Sequence, residues 1–320
     1  MTSCRLILLS TLLSSGSLFA LPTLGPAAPF NVFVFNSFNE TNADTGGRIA
    51  IGTNATFNSN FYAVSQFLNT TRDPYPATYN LVIAGTITLN PSTNNKVNLI
   101  TGNAWTSITG DCAKVQTAGG GTCSSSLPAP IDFAAANSYF NTLSNYYTTM
   151  PGSTVTGAGL TFAASVRGLN VFNVSATALK NATSIAITGD ATQDTIVINV
   201  TGTDTAIPLP NIGITFNGQA GNGESSPAGF QRVIWNFPTP TSLTGASWAG
   251  TMLAPKAAVS MSNGQIIGQL ISSSFSGGSE FHDYVFTGTA PIPEPGTIIL
   301  ILLGGAMLGL SRLKFRGPRA

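Results

Sequence analysis

RVIWNFPTPTSLTGASWAGTMLAPKAAVSMSNGQIIGQLISSSF, residues 232–275, sets short apolar pieces one after another between turn residues. Glycine recurs at 245, 250, 264 and 268. Each piece is too small to bury its own apolar face, so stacking the pieces as successive coils is the natural way to cover them. They follow no strict period, which predicts an irregular solenoid. Within the stretch, Gly250 is expected to allow close backbone approach and Pro255 to end a strand.

The rest of the body reads the same way. FNVFVFNSF (30–38), YNLVIAGTITL (79–89), TSIAITG (183–189), DTIVINVTG (194–202) and IGITFNG (212–218) alternate or run apolar in short pieces. Strands this short, punctuated by Gly, Asn and Pro, indicate a mainly β protein. The fold expected is an irregular right-handed β-solenoid (β-helix), with a β-sandwich as the alternative. One flanking α-helix is expected at about 132–150. Asp132 can cap it, Phe133, Ala136, Phe140, Leu143 and Tyr147 make one apolar stripe, and Pro151-Gly152 ends it.

Composition narrows the function. Only 8% of the 320 residues are charged, against about 25% in ordinary soluble domains. Five of the thirteen basic residues are terminal: Arg5, Arg312, Lys314, Arg316 and Arg319. Residues 21–293 then hold eight basic and eleven acidic residues, a net of −3, with no basic stripe for nucleic acid. MTSCRLILLSTLLSSGSLFALP has the basic, apolar and small-residue parts of a secretory signal peptide, residues 1–20, with cleavage after Ala20. The exported chain keeps two cysteines, Cys112 and Cys123, which flank CAKVQTAGGGTC and are expected to form a disulfide.

The other end carries PEPGTIILILLGGAMLGLSRLKFRG. Its apolar run, Thr297 to Leu310, is fourteen residues, short of the about 20 that a full span needs. Extended to 311, it makes a short transmembrane helix with the basic tail Arg312, Lys314, Arg316 and Arg319 on the cytoplasmic side.

Three stretches in order carry a family resemblance: FNVFVFNSFNETNADTGGRIAIGTNATF, then RGLNVFNVSATAL with TIVINVTG, then VIWNFPTPTSLTGASWAGTMLAPKAAVSMSNGQIIGQLISSSFSGGSEFHDYVFTG. Together they resemble the choice-of-anchor A domain of bacterial surface proteins, here over residues 21–290. The resemblance implies an adhesive domain. The third stretch is also similar to the late coils of ice-binding β-solenoids, where a long helix lies beside the coils. The segment 291–320 resembles a PEP-CTERM sorting signal. That implies recognition of Pro293, Glu294 and Pro295 by an exosortase-type enzyme in a Gram-negative, exopolysaccharide-producing bacterium. It further implies a transient inner-membrane intermediate before release to the cell surface or matrix.

Candidate chemistry is sparse. Glu280 and His282 stand two apart, so on a strand they share a face. They could do acid–base work or bind a metal, but the expected role is a hydrogen-bonded pair closing the last coil. Asn39, Glu40, Asn42 and Asp44 cluster oxygens before a strand. Asx-turn chemistry accounts for them, with a calcium loop as the sharper alternative. No G-x-S-x-G, H-E-x-x-H or P-loop is present, and the other acids are dispersed. No catalytic residue, metal or cofactor is therefore expected. The expected function is a non-enzymatic adhesin that binds extracellular polysaccharide or surface glycans, with aromatics in NSNFYAVSQF and NSYFNTLSNYY available to stack on sugars. An exopolysaccharide-modifying enzyme on the same scaffold is the alternative, and would need a cleft with two close carboxylates. Ice binding is a further alternative, needing a flat Thr ladder.

Overall fold

The computed structural model describes residues 24–59, 61–69, 71–90 and 96–292. The signal peptide with Ala20, the Pro293-Glu294-Pro295 triplet, the apolar segment 297–311 and the basic tail lie outside the described residues. Among the described residues, no helix is long and apolar enough to cross a membrane.

The chain is mainly β, with large parallel sheets and few helices, a β-helix-like architecture. The largest sheet has 16 strands. Its neighbours run, in space, Cys123–Ser124, Ala104–Thr106, Leu81–Ile83, Ile49–Ile51, Val32–Val34, Leu270–Gly277, Thr251–Met261, Val233–Asn236, Thr195–Thr201, Leu169–Ser175 and Ser153–Val155. Every one of these pairs is parallel. Sandwiches are built from antiparallel sheets. Here one antiparallel pair occurs among the described residues, Ile214–Phe216 with Gln219–Ala220.

The order of the strands reveals a feature that the sequence hid. The N-terminal half starts in the middle of the sheet at Val32–Val34 and winds outward to Cys123–Ser124. Helix α1, Phe133–Thr148, follows. The C-terminal half then starts at the far edge and winds back until Leu270–Gly277 pairs with Val32–Val34. The two halves meet at a central seam. Phe38 stacks on Phe275 across it, ring centres 5.3 Å apart, and Thr45 bridges to both Val64 and Phe281.

Two apolar layers explain the residue choices. Val32, Val34, Ile49, Ile51, Leu81 and Ile83 point into the coil, while Phe33, Ala50 and Val82 between them point to α1. A strand buried on both faces needs a continuous apolar run, and these three-residue strands are buried throughout. By contrast Gly159–Ala163 alternates, having one wet face, and Leu169–Ser175 alternates between buried and half-buried residues, Leu169 and Val171 packing partly on the α1 layer. Helix α1 lies where the stripe predicts, with Ala136, Phe140, Leu143 and Tyr147 buried and Phe133 packed against the same layer. The Asp132 side chain caps it by accepting from the Ala135 N–H at 2.9 Å.

An asparagine ladder ties α1 to the sheet. Asn199 and Asn236 are paired in register and fully buried. Asn236 Nδ2 donates to Asn199 Oδ1 and to the Ser144 carbonyl, both at 2.8 Å, and Asn199 Nδ2 donates to the Tyr147 carbonyl at 2.9 Å. These bonds satisfy polar groups that would otherwise be buried without partners.

Two glycine and proline expectations resolve differently. Gly250 has φ +96, and a Cβ there would press on Trp235 and Val233 at 3.1 Å, so close approach is its role. Pro255, however, does not end a strand. It lies inside Thr251–Met261, where the register shifts between Ala254 and Ala258. The shift spares the ladder a donor at that point, which is where a sheet tolerates proline.

Cys112 and Cys123 are joined as expected, Cα atoms 5.6 Å apart. The bridge pins the outermost strand of the N-terminal half. Reduction is expected to cost roughly 3 kcal/mol, read as a lower urea midpoint in dithiothreitol. A C112S/C123S variant with the midpoint of the oxidised protein would refute this.

Candidate functional site

The seam brings together groups that lie far apart in sequence. Strand Glu280–His282 lies in a three-stranded parallel sheet, beside Gln265–Ile267. Glu280 is half-buried there and His282 is 6% exposed. His282 Nε2 is 3.8 Å from Glu280 Oε2, so the predicted pair is adjacent. The closer partner is one that the sequence did not suggest: His282 Nδ1 lies 3.1 Å from Glu224 Oε1.

Glu224 also pairs with Arg72 from the N-terminal half. The Arg72 guanidinium sits 4.9 Å over the Tyr284 ring, and the Tyr284 hydroxyl donates to the Glu224 carbonyl at 3.0 Å. Burial pushes the Glu224 carboxyl up. The His282 hydrogen bond and the Arg72 charge outweigh that and hold it below its ordinary value. Arg48 pairs with Asp73 and donates to the Asn80 amide oxygen at 2.8 Å. Arg167 is exposed; the Asp190 carboxyl is held low by hydrogen bonds from Thr192, with a small contribution from the Arg167 charge.

The four oxygen-bearing residues before the strand at 49 are parted. Asn39 points outward from strand Phe38–Glu40. Glu40 points inward, 1% exposed, and accepts from the Ala43 N–H and, at 2.8 Å, from the Ser59 hydroxyl. Asn42 and Asp44 instead line an open cleft of about 530 Å³ at the seam, with Ser59, Phe61, Asn263 and Glu280. Asp44 is pushed up to about 6 by burial, by the charge and hydrogen bond of Glu280, and by Glu40, against the charge of His282. Gly278 belongs to the same wall; a Cβ there would collide with the Thr41 carbonyl oxygen across the seam. Among the described residues no group of three or more His, Cys, Asp or Glu could hold a metal ion.

The stacking aromatics also divide. Phe61 is 62% exposed and Phe67 40%, whereas Tyr62, Phe140 and Tyr147 are core.

A second surface is built by register alone. Pro208, Thr244, Ser260, Ser276, Asn39, Thr56 and Thr88 are Cα partners in one continuous row across seven parallel strands. All seven are exposed or half-buried. Their inward neighbours Ile207, Leu243, Val259, Phe275, Phe38, Ala55 and Ile87 are all buried. A second outward row runs Ala206, Ser242, Ala258 and Ser274. Neighbouring parallel strands stand about 4.8 Å apart, so the two rows are a regular array of small, neutral groups, with the exposed Lys256 beside them on the strand of Ala258 and Ser260.

A family model described as "Putative Ice-binding-like adhesive domain" matches residues 23–283. A solved structure, "Crystal structure of ice binding protein from an Antarctic bacterium Flavobacteriaceae", is 13% identical, with a TM-score of 0.29. The match covers 80% of this chain and 65% of that one, so this chain spans just under two thirds of its length. No curated protein matches by sequence.

Proposed function

Because the chain belongs to the family of ice-binding-like adhesive domains, we propose that it is a surface or extracellular-matrix adhesin whose flat polar face holds polysaccharide. The observation that carries this reading is the seven-strand outward row from Pro208 to Thr88. A wide array of fixed, uncharged hydroxyl and amide groups suits a neutral, repeating ligand. Groups held rigidly by a sheet also pay little ordering entropy on binding.

The finer parts of the reading rest on sequence. The body is a choice-of-anchor A domain wound as a right-handed solenoid, the hand that parallel crossover connections nearly always take. It is exported by the signal peptide and held briefly in the inner membrane of a Gram-negative cell by the segment 297–311. An exosortase-type enzyme then processes it near Pro293, Glu294 and Pro295, and its partners are extracellular polysaccharide or surface glycans. The adhesin needs no cofactor and no catalysis. An enzyme reading has one observation in its favour, the Asp44–Glu280 pair in an open cleft. The charge of Glu280 acts on Asp44, and release of reducing sugar from exopolysaccharide would favour this reading over the adhesin.

Retention on insoluble polysaccharide and a glycan array test the proposal. The triple variant T56K/T244K/S260K should bind about tenfold more weakly or worse, about 1.4 kcal/mol, with an unchanged melting temperature because all three side chains point outward. Equal binding by the variant, or no retention of the wild type, would overturn it. Ice binding is the second reading of the same face. Thr fills three of the seven positions, Thr244, Thr56 and Thr88, and a thermal-hysteresis assay separates the two readings.

A further inference from the structure

The seam cleft borders the polar row, Gly278 following Ser276 and Asn42 following Asn39 within three residues, and it has its own chemistry. Its walls come from both halves of the chain: Asn42, Asp44 and Phe61 from the first, Asn263 and Glu280 from the second. A volume of about 530 Å³ falls in the range of about 300–1,000 Å³ typical of small-molecule sites.

Three features of the cleft converge. Phe61 stands at its lip with 62% of its surface exposed; a lone large aromatic beside a polar cavity offers a flat apolar platform. Asn42 and Asn263 supply neutral donors and acceptors. Asp44 and Glu280 bring two acidic groups against each other, in a chain that is only 8% charged. Among the described residues, no lysine or arginine lines the cleft. The charged groups acting on Asp44 are Glu280, His282 and Glu40, and His282 is already engaged by Glu224 on its other ring nitrogen. Two acids, Glu280 and Glu40, act on Asp44 against His282, which also stands 3.8 Å from Glu280 Oε2, so acidic groups are in excess around the cleft. An incoming ammonium would relieve the repulsion and make charge-assisted hydrogen bonds to both carboxyls.

We infer that the seam cleft is a binding subsite for a cationic amino sugar, a hexosamine with a free amine, within a polysaccharide. The amine lies between Asp44 and Glu280, the apolar face of the ring lies on Phe61, and the hydroxyls meet Asn42 and Asn263. An N-acetylated sugar has the same ring and no charge, so it uses the platform and loses the carboxyl pair. Divalent calcium is a poorer match, since it takes six to eight oxygen ligands and no three-acid group is present among the described residues.

Titration calorimetry of the intact exported protein with soluble oligomers of glucosamine and of N-acetylglucosamine, near pH 6, tests this. Glucosamine oligomers should bind roughly tenfold more tightly than their acetylated counterparts. The D44N/E280Q variant should lose that preference, and F61A, changed only at the exposed lip, should weaken both ligands while the melting temperature holds. Equal affinity for the two oligomers, no binding of glucosamine, or calcium binding removed by D44N/E280Q without any glucosamine binding would each overturn the inference. The cleft variants change no residue of the row from Pro208 to Thr88, and T56K/T244K/S260K changes none of the cleft, so this failure and failure of the adhesin reading are separable.

Discussion

Replacing Gln269 with leucine is expected to destabilise the fold by about 3–5 kcal/mol. Gln269 is fully buried at the seam. Its amide nitrogen donates to the carbonyls of Ala27, Ala28 and Phe30 at 2.9, 3.2 and 2.8 Å. Its amide oxygen accepts from the Phe286 N–H at 2.8 Å. One side chain thus serves the entry segment of the N-terminal half and the exit segment of the C-terminal half. Leucine has nearly the same volume, so the cavity cost is small. The loss comes from buried backbone groups left without partners, each worth about 1–3 kcal/mol. The sum is capped because the segment at 24–30 can peel away and recover water. Urea denaturation should show the lower midpoint, and limited proteolysis should cut first before residue 31. Gln269→Glu should suffer as well, since it keeps the acceptor and loses the donors. A leucine variant that unfolds with the wild type would show that the seam does not depend on this side chain.

Local chemistry made part of this molecule legible. Asp132 with its apolar stripe located α1, because capping and the 3.6 period act within a few residues. Cys112 and Cys123 needed only their spacing and an exported chain. The short apolar pieces of 232–275 gave stacked strands. What stayed hidden was whatever depends on the seam. Val32 pairs with Leu270 across 238 positions, and no local pattern announces such a pairing. Glu224, the main partner of His282, lies in a short turn 58 residues away and carries no motif. The outward row from Pro208 to Thr88 was invisible for a related reason. The connections between its strands differ in length, so equal positions in space are unequally spaced in sequence. The calcium alternative to the Asx-turn reading has a local argument against it. Asn39 and Glu40 are consecutive residues of a strand, and consecutive strand residues face opposite sides. That alone keeps them from sharing one calcium ion.

The seam should also carry the pH dependence of stability, and Asp283 is where it should be largest. Asp283 is fully buried. One carboxyl oxygen accepts from the Asn69 N–H at 2.8 Å, and the other has no hydrogen-bond partner. Burial pushes its pKa up to about 7. The Asn69 bond and the Arg72 charge work against this, and the charges of Asp73 and Glu224 work with it. An unfolded Asp titrates near 3.9. Between about 4 and 7 the folded protein therefore holds a proton that the unfolded chain has released. Stability from this group is complete below about pH 4 and falls as pH rises toward 7, by up to about 4 kcal/mol. Asp44, pushed up to about 6, adds a smaller loss of the same sign. Glu224, held low, contributes in the opposite sense, with stability that is lost on acidification. The variant Asp283→Asn isolates the first effect, because the amide keeps the shape and mimics the neutral acid. It should match the wild type near pH 4 and exceed it by several kcal/mol above pH 7, measured as urea midpoints across that range. Parallel curves for the two proteins would mean that Asp283 does not hold its proton in the fold between about pH 4 and about 7. Diverging curves would place an acid that resists ionisation at the joint between the two halves. The seam would then loosen with alkalinity while Gln269, which does not titrate, goes on holding the chain entry in place.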